Sequence, residues 1–392
     1  MVLSCVAKPS SAMKNDRNKP FALPHLGRLL LYMLPFPLVL LFFSLGLVLG
    51  MTSGANFQNL YFPFVAPSPS AKPSSPPPTL WPPGGALHTM TDEELFRWAS
   101  MAPKLDGTPY HRVPKVAFMF LVRGDLPLRP LWEKFFEGHH GLYSIYVHTN
   151  PSHTGSYPMD SVFYGRTIPS QRTTWGGVTL VEAERRLLAN ALLDLSNERF
   201  ALLSESCIPI YNFSTVYAVL TGSKTSFVES IVSTARYRPL FALRNNISEA
   251  QWRKGSQWFE VDRALAGEAV ADVSYFPTFR ENCAGERFCV VDEHYMSTLV
   301  SVLGWGSRNA NRTLTFADWD PKRRVGAHPR NHRGEEVTEE LIERIRKGGG
   351  APGRNCSFDD GANGVCFLFA RKFAPDTLQP LLRLAPKAMG FG

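Results

Sequence analysis

The longest apolar stretch of the chain lies close to its N-terminus. It runs from Leu29 to Met51 and contains no charged side chain, whereas the residues before it are mainly basic. This length is sufficient for a helix to cross a hydrocarbon core of ~30 Å. The positive-inside rule then keeps the N-terminus in the cytosol and places the remaining chain across the membrane. A cleaved signal peptide is the alternative, although its apolar core usually spans only ~7–15 residues.

Proline and serine dominate residues 63–83, which predicts an extended, polyproline-like spacer rather than a packed core. Thr91 and Glu94 form a capping box that predicts a short helix ending near Met101. The chain is therefore divided into a cytosolic tail at 1–28, a transmembrane signal anchor at 29–51, a Pro-rich luminal stem with a short helix at 52–112, and a luminal domain at 113–392.

Short apolar runs alternate with amphipathic segments in the luminal domain. Strands are predicted at 115–122, 143–148, 200–203 and 226–229, and helices at 128–137, 179–195 and 214–220. Alternation of this kind is typical of an α/β domain with a mainly parallel sheet flanked by helices. Ligands of such sheets bind beyond the carboxyl ends of the strands.

Composition and motifs exclude several functional classes. The net charge of +8 is not gathered into a Lys/Arg block outside the N-terminal tail, which argues against a nucleic-acid partner. The domain contains no dinucleotide-binding, P-loop or nucleophile-elbow motif. The sequons that begin at Asn212, Asn246, Asn311 and Asn355 all follow the anchor, in agreement with a luminal domain.

Two acidic motifs are candidates for chemistry. Asp318-Trp-Asp320 matches the Asp-x-Asp pair with which sugar-nucleotide transferases hold a metal, but Pro321 follows it, which favours a turn. Asp292-Glu293-His294 concentrates acid and base groups, and Glu293 is a candidate general base. The alternative for Glu293 is an acid that offsets the dipole of a helix N-terminus.

A transferase without a metal needs cations for its departing diphosphate. Arg371 and Lys372 follow a strand-like run and are candidates, with a solvated pair at a strand end as the alternative. Several tryptophans in the second half could stack on sugars, although core packing is the ordinary role of such rings.

The motifs as a set resemble the plant branch of the core-2/I-branching β-1,6-N-acetylglucosaminyltransferase family. In chain order they are KVAFMFLVRG, YVHTNP, TTWGGVTLVEAERRLLANAL, RFALLSESCIPIYNF, WRKGSQWFEVDRALA, VVDEHYMSTL and VCFLFARKFAP. The resemblance implies a type II Golgi protein with a GT-A-like fold. It further implies an inverting mechanism with a UDP-sugar donor and no obligatory metal or other cofactor.

The resemblance also implies roles for individual residues. The family's catalytic base falls on Glu293 and its diphosphate-binding lysine on Lys372, with Arg371 beside it. The other implied positions form two groups: Val122, His148 and Arg172 on the donor side, and Arg253, Lys254, Trp258 and Trp319 on the acceptor side. The family pairs cysteines at the positions of Cys356 and Cys366, and we also expect a bond between Cys283 and Cys289, which leaves Cys207 free.

Two departures from the animal members concern the donor site. His148 stands where those members have an aspartate near the nucleoside, and Asn363 stands where they have a diphosphate-binding arginine. Arg371 is a candidate to replace that arginine. We therefore expect N-acetylglucosamine as the default sugar and leave other UDP-sugars open.

The sequence thus predicts a Golgi, single-pass type II glycosyltransferase that acts on a glycan of a secreted or cell-wall glycoprotein or on a wall polysaccharide. A non-catalytic luminal lectin or scaffold on the same fold is the alternative. A secreted Pro-rich wall protein is disfavoured by the α/β pattern of the large domain.

Overall fold

The computed structural model describes residues 88–101, 112–245, 247–283, 289–319, 328–349, 356 and 365–392. The predicted anchor at 29–51 and most of the predicted stem lie outside these residues. Within the described ranges, no helix is long and apolar enough to cross a membrane.

The secondary structure alternates between helices and short strands. The helices are α1 (Asp92–Met101), α2 (Arg129–Phe136), α3 (Val178–Leu192), α4 (Phe213–Gly222), α5 (Leu240–Asn245), α6 (Arg263–Ala271), α7 (Phe276–Cys283), α8 (Val291–Val302), α9 (Glu339–Arg346) and α10 (Leu378–Leu384). The strands are β1 (Lys115–Leu121), β2 (Tyr143–His148), β3 (Asn197–Ser204), β4 (Ile208–Pro209), β5 (Ile231–Val232), β6 (Arg253–Lys254), β7 (Glu260–Asp262), β8 (Thr315–Ala317) and β9 (Phe369–Arg371).

The main sheet has the strand order β2-β1-β3-β7. β1 is parallel to both β2 and β3, and β7 is antiparallel to β3. A second sheet has the order β4-β9-β8, in which β8 and β9 are parallel, and β5 pairs with β6 in a separate two-stranded ribbon. The expected α/β architecture with a parallel-containing sheet flanked by helices is confirmed.

Strand β1 explains why the sheet is covered on both faces. Ala117 and Met119 pack into the apolar cluster that contains helix α3, whereas Phe118 and Phe120 pack into the cluster that contains α2 and α4. Because neighbouring side chains of a strand point to opposite faces, an uninterrupted apolar run requires a layer of helices on each side.

Two expectations about local structure need correction. The strand expected at 226–229 is reduced to isolated bridges, Ser226 with Asn309 and Phe227 with Glu260. The short helix assigned to the stem, α1, packs on the domain: Leu95 and Ala99 are buried in the same apolar cluster as α3. The sequence predicts this helix but not the domain surface on which it packs. A helix of 10 residues with only two buried positions resembles an exposed helix in its sequence pattern.

Candidate functional site

A cleft of about 390 Å³ opens where the parallel strands β8 and β9 end. Ala317 and Arg371 are paired at the carboxyl ends of these strands, and both line the cleft. The other walls come from β5, from the segment after β6 and from the first turn of α8. The cleft therefore lies where ligands of parallel sheets usually bind.

Glu293 reaches the cleft from the first turn of α8. Its carboxylate lies 3.1 Å from Nζ of Lys254, which ends β6 and also lines the cleft. The backbone N–H of Gly255 donates a hydrogen bond to the Glu293 carbonyl over 2.8 Å. One side-chain contact and one backbone hydrogen bond thus fix Glu293 relative to the β5–β6 ribbon.

Gly255 permits this close approach. A Cβ atom at this position would lie 1.8 Å from the carbonyl oxygen of Glu229, which no real contact allows. Ser297 of α8 donates a hydrogen bond to that same carbonyl over 2.8 Å. Any side chain larger than hydrogen at Gly255 would push β6 away from α8 and would separate Lys254 from Glu293.

Two cations also line the cleft. The guanidinium of Arg371 stacks on the ring of Trp258 at 4.3 Å, and Lys372 follows it along the cleft wall. Burial, and then the nearby charges of Arg371 and Arg123, lower the pKa of Lys372. Burial, and then Lys372 and Arg371, similarly lower the pKa of His328. Each positive charge in this group makes protonation of its neighbours less favourable. An anionic ligand such as a diphosphate would offset this repulsion.

Two exposed tryptophans stand at the cleft rim. Trp319 is 57% exposed and Trp175 is 54% exposed, although large apolar rings are usually buried. Trp175 contacts the ring of His328 at 5.2 Å between centroids. Exposed aromatic faces beside a polar cleft are suited to stacking on the apolar C–H surface of a sugar.

The donor-side positions implied by the resemblance are not among the cleft-lining residues. Val122 is buried after β1, and its N–H donates to the His148 carbonyl over 2.9 Å. His148 is buried, and its Nε2 accepts a hydrogen bond from the N–H of Gln171 over 3.2 Å. Burial, and then Arg186, lower the pKa of His148 to about 4, so this ring is neutral. Arg172 is exposed on the loop before α3.

The two acceptor-side cations of β6 point in different directions. Lys254 lines the cleft, whereas the guanidinium of Arg253 donates to the carbonyls of Ala250 and Trp252. This difference follows from the alternation of side chains along a strand. The structure therefore brings Glu293, Lys254, Trp258, Trp319, Arg371 and Lys372 together in the cleft.

The carboxylate of Asp318 is engaged within the protein. Its Oδ2 lies 3.4 Å from Nε2 of the buried His332 and 3.6 Å from a guanidinium nitrogen of Arg344. The contact with His332 lowers the pKa of Asp318. Asp320 lies outside the described residues, and within those residues no group of three or more His, Cys, Asp or Glu side chains is arranged to hold a metal.

Both expected cysteine pairs are bonded, Cys283 with Cys289 and Cys356 with Cys366, and Cys207 is free and buried. The first bond lies just before α8, and Val290, the N-cap residue of that helix, has a left-handed φ of 46°. A β-branched residue rarely adopts this conformation, which marks the approach to Glu293 as a constrained segment.

The sequons differ in their surroundings. Asn212 caps α4, since its side chain accepts a hydrogen bond from the N–H of Thr215. Asn311 is exposed, and its side-chain oxygen accepts from the N–H of Ser230 over 2.7 Å. Asn246 and Asn355 lie outside the described residues.

Several cleft residues were not predicted as site residues: Trp175, Glu229, Gln257, Asp292 and His328. Asp292 could have been identified from the sequence, because it directly precedes the candidate base Glu293. Nothing in the sequence around Gln257 or Glu229 marks them as site residues, and only the fold shows that they face the cleft.

Comparison with known proteins identifies the family. The family model of the Core-2/I-Branching enzyme matches residues 116–346, which is more than half of the 392-residue chain. The chain is also 34% identical to "Glycosyltransferase BC10" of Oryza sativa subsp. japonica over 295 residues, which cover 66% of this chain and 73% of that protein. The cleft that holds Glu293, Arg371 and Lys372 lies largely within the matched range, and the two cations follow it. The chain therefore belongs to the Core-2/I-branching enzyme family and is a glycosyltransferase.

Proposed function

We propose that this glycosyltransferase moves a sugar from a UDP-sugar to a hydroxyl of a glycan, with inversion at the anomeric carbon. The observation that carries the proposal is that the carboxylate of Glu293 and the cation pair of Arg371 and Lys372 line the same cleft. In-line transfer needs a base for the attacking hydroxyl and positive charge for the leaving group.

The cleft residues have separate roles in the proposed reaction. Glu293 takes the proton of the acceptor hydroxyl, which attacks the anomeric carbon as the bond to the diphosphate breaks. Arg371 and Lys372 stabilise the charge that develops on the UDP leaving group, without requiring a metal. Lys254, Trp258 and Trp319 contact the sugars, and the exposed ring of Trp319 supports the acceptor.

The finer assignments are part of the same proposal. N-acetylglucosamine is the default sugar, and the acceptor is a glycan on a secreted or cell-wall glycoprotein or a wall polysaccharide. The enzyme is placed in the Golgi membrane as a single-pass type II protein with its domain in the lumen. These assignments are supported by the resemblance of the motifs and by the apolar, positively flanked segment at residues 29–51.

A donor-by-acceptor screen tests the proposal. The full chain in detergent is incubated with a panel of UDP-sugars and glycan acceptors, and UDP release and product formation are measured. We expect a product whose anomeric configuration is opposite to that of the donor, and no product with Glu293→Gln. No turnover with any pair would favour a non-catalytic carbohydrate-binding protein, and retention of configuration would contradict the inverting mechanism.

A further inference from the structure

Two buried carboxyl groups adjoin the cleft and have no part in the mechanism described above. Asp292 is 6% exposed and lines the cleft, and Glu184 of α3 is 2% exposed. Gln257 lines the cleft as well, and its side-chain N–H donates to Glu184 over 2.9 Å. Within the described part of the chain, Oδ1 of Asp292, Oε2 of Glu184 and Nε of Arg371 are buried without a hydrogen-bond partner.

Packing of the protein alone does not explain these atoms. A buried polar atom without a partner lowers stability, and native proteins rarely retain several at one place. Backbone N–H groups of the first turn of α8 contact the Asp292 carboxyl group, but they leave Oδ1 without a partner. Unpartnered polar atoms of residues that line a cleft, here Asp292 and Arg371, are what a ligand would satisfy.

Both carboxyl groups retain their protons to a higher pH than an ordinary carboxyl group. Burial, and then the charge of Glu293, raise the pKa of Asp292 to about 7. Burial, and then Asp292, raise the pKa of Glu184 well above its usual value. A protonated carboxyl group offers an O–H donor, whereas an ionised one only accepts. In its protonated form, Asp292 therefore presents a donor to the cleft that it lines.

The position of Asp292 indicates which part of a substrate it would meet. Asp292 directly precedes Glu293, and it is close enough to Arg371 for that guanidinium to lower its pKa. In an inverting transfer, the sugar ring lies between the base beside the acceptor oxygen and the cations beside the leaving diphosphate. Asp292 lines the same cleft as both groups.

We propose that Asp292 donates a hydrogen bond to an oxygen of the transferred sugar, and that Glu184 and Gln257 are positioning residues that hold it in place. This inference rests on the proposed transfer from a UDP-sugar. The oxygen belongs either to a ring hydroxyl or to an acetamido carbonyl, since both accept hydrogen bonds.

Calorimetric titration of the full chain with UDP, UDP-glucose and UDP-N-acetylglucosamine tests the proposal. We expect Asp292→Ala to weaken UDP-sugar binding about tenfold, equivalent to ~1.4 kcal/mol, and to leave UDP binding unchanged. Loss with both sugars indicates a ring hydroxyl, and loss with UDP-N-acetylglucosamine alone indicates the acetamido group. Gln257→Ala should weaken UDP-sugar binding in the same selective way but less strongly.

Matched variants separate binding from folding. Asp292→Ser suits the first turn of a helix but is too short to reach the sugar, so it should reproduce the selective loss if Asp292→Ala does not fold. Asp376→Ala, an acid that is not among the cleft-lining residues, should bind all three ligands like the wild type.

The outcomes distinguish the two proposals. Equal losses for UDP and UDP-sugar, or unchanged UDP-sugar binding in a folded Asp292 variant, would overturn the role of Asp292 and leave the proposed transfer intact. Failure of the wild type to bind any of the three ligands would overturn both.

Discussion

Lys254 Nζ lies 3.1 Å from Glu293 Oε2, across the junction between the β5–β6 ribbon and helix α8. The backbone reinforces this pair, because the N–H of Gly255 donates to the carbonyl of Glu293 over 2.8 Å. A cation beside the candidate base holds its carboxylate in position in the cleft. Orientation of the base therefore depends on a residue that lies far away along the chain.

Replacement of Lys254 tests this dependence. Lys254→Met should lower kcat about tenfold, because a base outside its productive position loses part of its catalytic contribution. Lys254→Arg keeps the charge and should retain most of the rate. UDP affinity should be unchanged in both variants, since the diphosphate is assigned to Arg371 and Lys372 and not to Lys254. Steady-state kinetics and UDP titration measure these effects, with Lys347→Met, at an exposed cation, as the control. A normal kcat for Lys254→Met would show that Glu293 needs no such support.

The strong apolar elements could be predicted from the sequence. β1, β2 and α3 are long enough for their periodicity to show, and each lies within a few residues of its expected bounds. β5 and β6 have two residues each, which is too short for a periodic signal, and they form only because the fold brings them together. The segment expected as a strand at 226–229 shows the converse, since it pairs with β7 only at Glu260 and makes isolated bridges rather than a ladder.

Site residues could be predicted only where reactive or charged side chains are adjacent in the sequence. Glu293, Arg371 and Lys372 were identified from local clusters, and the structure places them in one cleft. Glu184 could not be identified, because it lies inside an amphipathic helix where an acid is ordinarily exposed. Its burial results from packing against Gln257, which sequence spacing does not reveal.

Asp318 is expected to contribute to stability rather than to metal binding. Asp318 contacts the buried His332 and the guanidinium of Arg344. Its removal should lower the free energy of unfolding by about 1–3 kcal/mol, because His332 loses its partner. Urea denaturation measures this change. Activity of the wild type should survive EDTA, and complete loss that Mn²⁺ restores would instead identify the Asp-x-Asp pair as metal ligands.

We expect the buried carboxyl group of Glu260 to make the stability of the protein depend on pH. It is buried, and burial raises the pKa of its side chain from 4.5 to about 7. The unfolded chain releases this proton near its ordinary pKa, whereas the folded protein retains it up to about pH 7. Stability therefore falls as the pH rises through this window. His148 has the opposite effect on stability. Because its pKa is lowered from 6.5 to about 4, stability falls as the pH decreases below 6.5.

The variant Glu260→Gln separates these contributions. It cannot ionise, so the decrease in unfolding free energy between about pH 5 and pH 7.5 should be smaller than in the wild type by about 3 kcal/mol. Urea denaturation at the two pH values measures the difference. An unchanged pH dependence would show that Glu260 is already ionised in the folded protein.

Helix α1 is expected to stabilise the domain although it precedes the first strand. Leu95 is 2% exposed against α3 and α6, and Asp92 pairs with the guanidinium of Arg186 over 2.6 Å. Leu95→Ala should lower the free energy of unfolding by about 2–5 kcal/mol through the cavity it leaves. Met101→Ala removes an apolar side chain of the same helix that is 59% exposed, and it should have little effect. Equal effects of the two variants would show that α1 does not pack on the domain.

Glu293→Gln is the decisive test of the catalytic assignment. Glutamine keeps the shape and the hydrogen-bonding capacity of the side chain but cannot accept the acceptor proton. If Glu293 is the general base, kcat should fall by roughly 10²–10⁴, whereas UDP affinity should scarcely change. Lys372→Ala should weaken UDP binding as well as slow the reaction, because Lys372 lines the cleft and is one of the two cations assigned to the diphosphate. If Glu293 only offsets the helix dipole, Glu293→Gln should instead cost about 0.3–1 kcal/mol of stability and leave turnover nearly intact. Kinetics, UDP titration and urea denaturation on the same preparations distinguish these results, and near-normal turnover in a folded Glu293→Gln protein would remove Glu293 from the mechanism.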